Sequence, residues 1–486
     1  MLQKLCLIAA LAFLYLTNLA GVGFLGPDEP RYASIGREMA RSGDWITPRL
    51  DGQPWFEKPP LLYWTTAAGN WLGLTDEWAA RLPIALIGLV FLLFFYNTIE
   101  REFSHRVALT ATAILGTSAG WASLSFVAVT DLPMSAALNG ALLVALFGPQ
   151  ALGARSTGGR ESRYTAQGYL AGFLLGLAVL AKAFVPLILI VPVFLIARGK
   201  RLQMIVACVL TAAPWHILCY LRNGSAFWDV YFWEHQVGRF LHSDLGHAQP
   251  FWYYVPVLLA GLFPWTPLVL LLGGRRSLED ERVRFLLFVF LPIGLLFFSA
   301  STNKLPAYVL PLLPAMAVVL AVALEKTRSA ATWLVACSLL LAAVPMIAAI
   351  LPDALNVGLT HVSWKGGFGW PLLIPVIAAA AAWWLARDDA DQEWSDRRRW
   401  AALVVAVAAV VSVAYLKSSA FPVLDERVSV RAFFRAHQAE LAGACLDNLK
   451  RDAEYGLNYY VGRALPQCSD GQRPRVVVRG DGLAVE

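Results

Sequence analysis

Residues 26–64 read GPDEPRYASIGREMARSGDWITPRLDGQPWFEKPPLLYW and follow directly on an apolar run, residues 5–25. Acid, base and aromatic side chains stand together there: Asp28, Glu29, Arg31, Tyr32, Glu57 and Lys58. An ionisable group at membrane depth costs roughly 2.5 kcal/mol or more, so such groups mark working sites. The stretch reads as a loop between two membrane helices that carries chemistry. Pro27 and Pro30 stiffen the turn that presents the two carboxylates, and Pro59-Pro60 makes an extended lead into the next helix.

Composition sets the class around this loop. Of 486 residues, 58% are hydrophobic and 15% charged, with a mean hydropathy of +0.55, whereas soluble domains run near ~25% charged. The pattern is an all-α polytopic membrane protein. Apolar segments long enough for a ~30 Å hydrocarbon core are expected at 5–25, 82–99, 107–127, 132–149, 168–181, 183–197, 202–221, 252–272, 285–300, 307–324, 330–351, 371–386 and 400–416, thirteen in all. The pair at 168–181 and 183–197 also fits a re-entrant hairpin. The first segment, with Lys4 ahead of it and no small-residue cleavage site, is expected to be retained as a helix.

Basic residues then report topology rather than nucleic-acid binding, despite the net charge of +6. Arg101, Arg106, Arg155, Arg160, Arg163, Arg198, Lys200, Arg201, Arg275, Arg276, Arg282, Arg284, Lys326, Arg328, Arg387 and Arg397–Arg399 all fall on one side of a thirteen-span chain. That side is expected to be cytoplasmic. The N-terminus shares it, and loop 27–81 and the C-terminal tail face outward.

Three outward regions supply complementary chemistry. The first loop brings carboxylates. Lys182 between two apolar runs, Arg239 after FWDVYFWEHQVGRF, and Lys304 in STNKLPAY bring cations suited to a phosphate. Glu57, Glu234 and His235 are nitrogen and oxygen donors of the kind that bind a divalent ion. Most of the eighteen Trp residues need no more than an interfacial aromatic belt to explain them.

The tail, residues 417–486, changes texture. ERVSVRAFFRAHQAEL has helical spacing and PRVVVRG looks like a strand, so a small α+β module is expected outside the membrane domain of residues 1–416. Cys445 and Cys468 lie in it, while Cys6, Cys208, Cys219 and Cys337 lie in apolar spans. An oxidising compartment permits a Cys445–Cys468 bridge; two free thiols are the alternative. No P-loop or nucleotide-binding glycine loop appears, which argues against an ATP-driven pump.

The pattern DEPRY…GDWITP…FEKPPLLYW resembles the first loop of the GT-C lipid-linked sugar transferases, the group of bacterial aminoarabinose transferases and protein O-mannosyltransferases. The likeness continues at Asp131 in TDLPMSA, at EHQVGRF (234–240) and at NKLPAYVLPLLP (303–314). It implies an inverting transfer of a sugar, such as 4-amino-4-deoxy-L-arabinose, from undecaprenyl phosphate to an acceptor such as lipid A. A monomer at the periplasmic face of a bacterial inner membrane is implied with it. Transfer of a hexose to a protein, glycan or other lipid is the alternative. Carried over residue by residue, the resemblance makes Asp28 and Asp131 catalytic carboxylates. Lys58, Arg239, Lys304 and Tyr308 become donor-phosphate ligands, with Lys182, Arg31 and Tyr32 beside them, and Glu57 and His235 ligands to a metal, zinc. A flippase or transporter is the rival class; it predicts charges at helix midpoints and repeated halves, whereas these charges lie in loops.

Overall fold

The computed structural model describes residues 2–147, 160–238, 249–274, 278–358, 362, 369–387, 396–469, 473–479 and 482–486. Helix covers part of each expected span, but the spans are not equivalent. Among the described residues seven helices are long and apolar enough to cross a membrane, or eight when the pair Phe251–Gly261 and Thr266–Gly273, bent by 112°, is counted as one span. Leu2–Leu16, Asp131–Phe147 and Trp370–Ala386 are apolar but shorter. The 183–197 segment is broken into Val185–Leu189 and Val191–Ile196, just after Ala183 turns the chain at φ 51°. The thirteen expected crossings are therefore seven or eight full-length ones plus short and broken apolar helices.

Residues 27–81 are not a loop in the ordinary sense. Helix α1 (Leu2–Leu16) is followed by α2 (Asp28–Ser42), a two-residue hairpin at 49–50 and 53–54, α3 (Leu61–Trp71) and the long span α4 (Asp76–Glu102). Asp28 and Glu29 thus open a helix instead of sitting on a stiffened turn. Pro30 in the first turn is compatible with it, because N–H groups there have no intrahelical acceptor to lose. Gly43 at φ 72° ends the helix, its N–H donating to Met39 O. Ala33, Ile35, Gly36 and Met39 are buried. A Cβ on Gly36 would lie 2.6 Å from the Thr66 side chain, so glycine is what lets α2 lie close against α3.

The core runs continuously through the membrane helices. Pro306–Lys326 is its centre, being 89% buried. The last spanning helix, Asp396–Arg427, continues past Lys417 without interruption; Lys417 Nζ donates to Leu14 O and Thr17 O at the end of α1. The tail then forms a small module with its own core of Val430, Leu441, Leu446, Leu457, Leu465 and Val476. Strand 445–446 pairs parallel with Arg475–Arg479, which pairs antiparallel with Gly482–Val485. A Cys445–Cys468 disulfide ties it together.

Candidate active site

Asp28 and Glu29 are neighbours in sequence and face different surroundings, because successive residues on a helix point about 100° apart. Glu29 is fully buried. Its two oxygens accept from Arg81 Nε and Nη2, each at 2.7 Å, and from the N–H groups of Leu25 and Ala128. Arg81 also donates to Leu19 O, Val22 O and Gly23 O. This carboxylate is structural: it joins the end of α1, α2, α4 and the segment leading to Asp131. The Asp28 side chain is 48% exposed and is the carboxylate left to meet a substrate.

Arg31 holds Asp28 in place. Its Nη2 donates to Asp28 Oδ1 at 2.5 Å and lies 3.0 Å from Glu57 Oε2. The guanidinium lies near three rings, Tyr32 at 5.2 Å, Trp55 at 5.5 Å and Tyr455 at 5.6 Å. Burial works against its charge, but Glu57, Tyr32 and Asp28 outweigh that and raise its pKa above the ordinary arginine value. Burial, with Glu57 and Asp28 adding to it, also raises the Tyr32 phenol well above its usual pKa. Tyr32 is almost inaccessible, its ring 5.8 Å from that of Tyr63. Arg31 thus lies against two carboxylates, and Tyr32 is packed inside.

The cations on the other elements fall into two groups. Lys182 Nζ donates to Asp131 Oδ1 at 2.5 Å and lies 4.4 Å above the Tyr308 ring; Asp28 also acts on its charge through space. Asp28, Asp131, Lys182 and Tyr308, from four separate helical segments, thus share one region. Lys58 Nζ stands 3.5 Å from Glu57 Oε1, which brings a second cation to the Asp28 side. Lys304 is held differently. Its ammonium is buried and donates to Ser301 O and Gln249 O, so it fixes the turn before Tyr308. Arg239 lies outside the described residues.

His235 sits on a π-helical segment, Asp229–Gly238, with Glu234 Oε1 at 3.9 Å. Glu57 is engaged by Arg31 and Lys58. Among the described residues no three His, Cys, Asp or Glu side chains converge as a metal site. Glu57 and His235 are the donors that would hold such an ion, and among the described residues no third joins them.

Two participants had weak sequence signals. Arg81, a lone arginine near the start of an apolar span, is the kind of intramembrane charge that demands a partner. Tyr455 comes from the tail helix Arg451–Val461, which docks on α2. There Arg37 Nη2 donates to Tyr459 O at 2.8 Å, Tyr460 OH donates to Glu77 Oε1 at 2.6 Å, and Arg431 pairs with Glu77 and Asp425.

Residues 1–240 match the dolichyl-phosphate-mannose-protein mannosyltransferase family. The undecaprenyl phosphate-alpha-4-amino-4-deoxy-L-arabinose arabinosyl transferase of Pectobacterium carotovorum subsp. carotovorum (strain PC1) is 36% identical over 339 residues, 66% of this chain and 58% of that protein. The protein of the same name from Pectobacterium atrosepticum is 35% identical over 335 residues, again 66% of this chain and 58% of that protein. The crystal structure of ArnT from Cupriavidus metallidurans bound to undecaprenyl phosphate superposes with a TM-score of 0.77, covering 96% of this chain and 86% of that one at 21% identity. This chain is similar in sequence to the aminoarabinose transferases over 66% of its length. Its fold is the GT-C fold of ArnT, while the chain spans 58% of the length of the curated relatives named above. The GT-C resemblance of the first loop thus holds at the level of sequence relatives and of fold.

Proposed function

We propose that this chain is an inverting glycosyltransferase. It takes a sugar, foremost 4-amino-4-deoxy-L-arabinose, from undecaprenyl phosphate and passes it to an acceptor such as lipid A. The observation that carries the reading is the half-exposed Asp28 carboxylate, held by Arg31 beside a buried Lys182–Asp131 pair. The names of the relatives and of the superposed ArnT complex supply the donor class.

The geometry divides the labour. The departing polyprenyl phosphate gains charge as its bond to the anomeric carbon breaks, and prepositioned Lys58 and Lys182 answer that charge without reorganising. Acceptor oxygen attacks the opposite face of the sugar. With a hydroxyl acceptor Asp28 takes the proton. With a phosphate acceptor, already ionised, Asp28 orients the group or holds the ammonium of an amino sugar. Arg31 keeps the carboxylate aimed in either case. We place the site and the tail at the periplasmic face of a bacterial inner membrane, with the N-terminus cytoplasmic and the chain acting as a monomer. The basic-loop asymmetry supports that orientation.

The test is direct: purified protein with undecaprenyl-phosphate aminoarabinose and lipid A should release undecaprenyl phosphate and yield modified lipid A. Failure with this pair, but transfer from a polyprenyl-phosphate hexose to a protein, glycan or other lipid, would establish the second reading. The match to the mannosyltransferase family favours keeping that reading.

A further inference from the structure

Consecutive peptide N–H groups just ahead of α2 donate to side chains from three different elements. Gly23 N–H donates to Asp425 Oδ1 at 2.7 Å, Phe24 N–H to the Tyr460 hydroxyl at 3.1 Å, and Leu25 N–H to Glu29 Oε2 at 3.0 Å. The carbonyls of the same stretch are engaged as well. Arg81 donates to those of Leu19, Val22 and Gly23, and Arg431 Nη1 donates to Ala20 O at 2.9 Å.

The acceptors of Gly23 and Phe24 close into a ring. Asp425 Oδ1 also accepts from Arg431 Nε at 2.9 Å, Arg431 Nη1 stands 3.2 Å from Glu77 Oε1, and Glu77 Oε1 accepts from Tyr460 OH at 2.6 Å. The last spanning helix, the tail and α4 each supply a member, and Glu77 and Arg431 are buried. Arg81, which grips Glu29, is near enough to act on Glu77 through space. The ring and the Glu29–Arg81 pair are therefore one assembly. A Cβ at Gly23 would meet Arg431 Cβ and Tyr460 OH, each at 2.8 Å. The tail thus sits against bare backbone, and any shift of residues 19–25 moves the tail with it.

We propose that Tyr460 and Arg431 are positioning residues: through this ring the tail fixes residues 19–25 and the first turn of α2, and so aims the Asp28 carboxylate. A catalytic group misplaced by about 1 Å loses up to ~10²-fold in rate, so bonds remote from the substrate are enough to matter. The effect on rate rests on the transferase reading; the mechanical coupling does not.

Tyr460→Phe tests it, because it removes both hydroxyl bonds and keeps the ring that stacks on Phe24 and Phe434. In hydrogen–deuterium exchange on the full-length protein, residues 23–31 should exchange at least about tenfold faster, with the tail core at Leu446 and Leu457 unchanged. In transfer assays kcat should fall about tenfold with the donor KM constant. Arg431→Ala should behave alike, and Arg431→Lys, which keeps the charge, should recover most of the loss. In an Asp28→Asn background Tyr460→Phe should cost less than about twofold, because its target is gone. Arg479→Ala, exposed in the tail, should change nothing.

Unaltered exchange at 23–31, equal loosening of the tail core, a raised KM at constant kcat, or the full tenfold loss without Asp28 would each overturn the assignment. A parent that transfers no sugar, yet shows the exchange response, would sink the transferase reading and leave the coupling standing. Should Tyr460→Phe fail to fold, Arg431→Lys against Arg431→Ala decides by the same exchange measurement.

Discussion

Glu29 and Arg81 form a two-pronged ion pair, both contacts 2.7 Å, with no solvent at either side chain. One residue earlier, Asp28 is half exposed and paired to Arg31. The two neighbours should therefore fail in different ways. Glu29→Gln leaves Arg81 buried without its counter-charge, a loss of about 3–5 kcal/mol for a broken buried pair. A lower melting temperature and a poor yield of monodisperse protein would show it. Asp28→Asn should melt like the parent and lose about 10²–10⁴-fold in turnover with a hydroxyl acceptor. Full activity in Asp28→Asn and Asp28→Ala would remove its role.

Lys182 donates to Asp131 at 2.5 Å with its ammonium over the Tyr308 ring. Lys182→Met should raise the KM for the lipid-linked donor more than it lowers kcat, because it removes a phosphate-facing charge. A double-mutant cycle with Asp131→Asn should show a coupling of about 1–3 kcal/mol. Additive effects would mean that the pair does not act as one unit.

Tyr455 is the tail's contact with the Arg31 guanidinium. Tyr455→Ala should cost several-fold in kcat with the melting temperature intact, and Tyr455→Phe, which keeps the ring, should restore most of it. An equal loss in both variants would point to the phenol instead of the ring.

The tail core is small, and the Cys445–Cys468 link spans 23 residues. Small modules depend on such staples, and losing one costs about 2–4 kcal/mol. Replacing both cysteines with serine should make residues 431–486 protease-sensitive while the membrane part stays folded. Unchanged proteolysis would show that the tail's docking on α2 suffices alone.

How much of this was legible beforehand depended on what each feature rests on. The apolar helices follow from hydrophobic runs, and the charges Asp28 and Lys182 from the rule that charges near a membrane must be used; Asp131 and Tyr308 join them only through the resemblance to the GT-C transferases. Partner choice was not legible. Whether Arg31 meets phosphate or carboxylate, and which of Asp28 and Glu29 turns inward, depends on rotation about α2, whose helical start is masked by two prolines. Tyr455 lies far downstream of Arg31, in a segment whose periodicity reports a helix but not its seat. The lengths of the spans were not legible for a related reason: apolar length does not record bends such as the 112° break after Gly261.

The last spanning helix is one unbroken rod of 32 residues. Arg399 lines a cavity at the far end of the bundle in its first turn, and Asp425 near its other end accepts from Gly23 N–H and Arg431 beside the candidate active site. Those two residues are about 39 Å apart along the rod. A tilt of this rod at one end is geometrically the same tilt at the other, so the packing of the far end of the bundle and the seating of the tail over Asp28 are not independent variables.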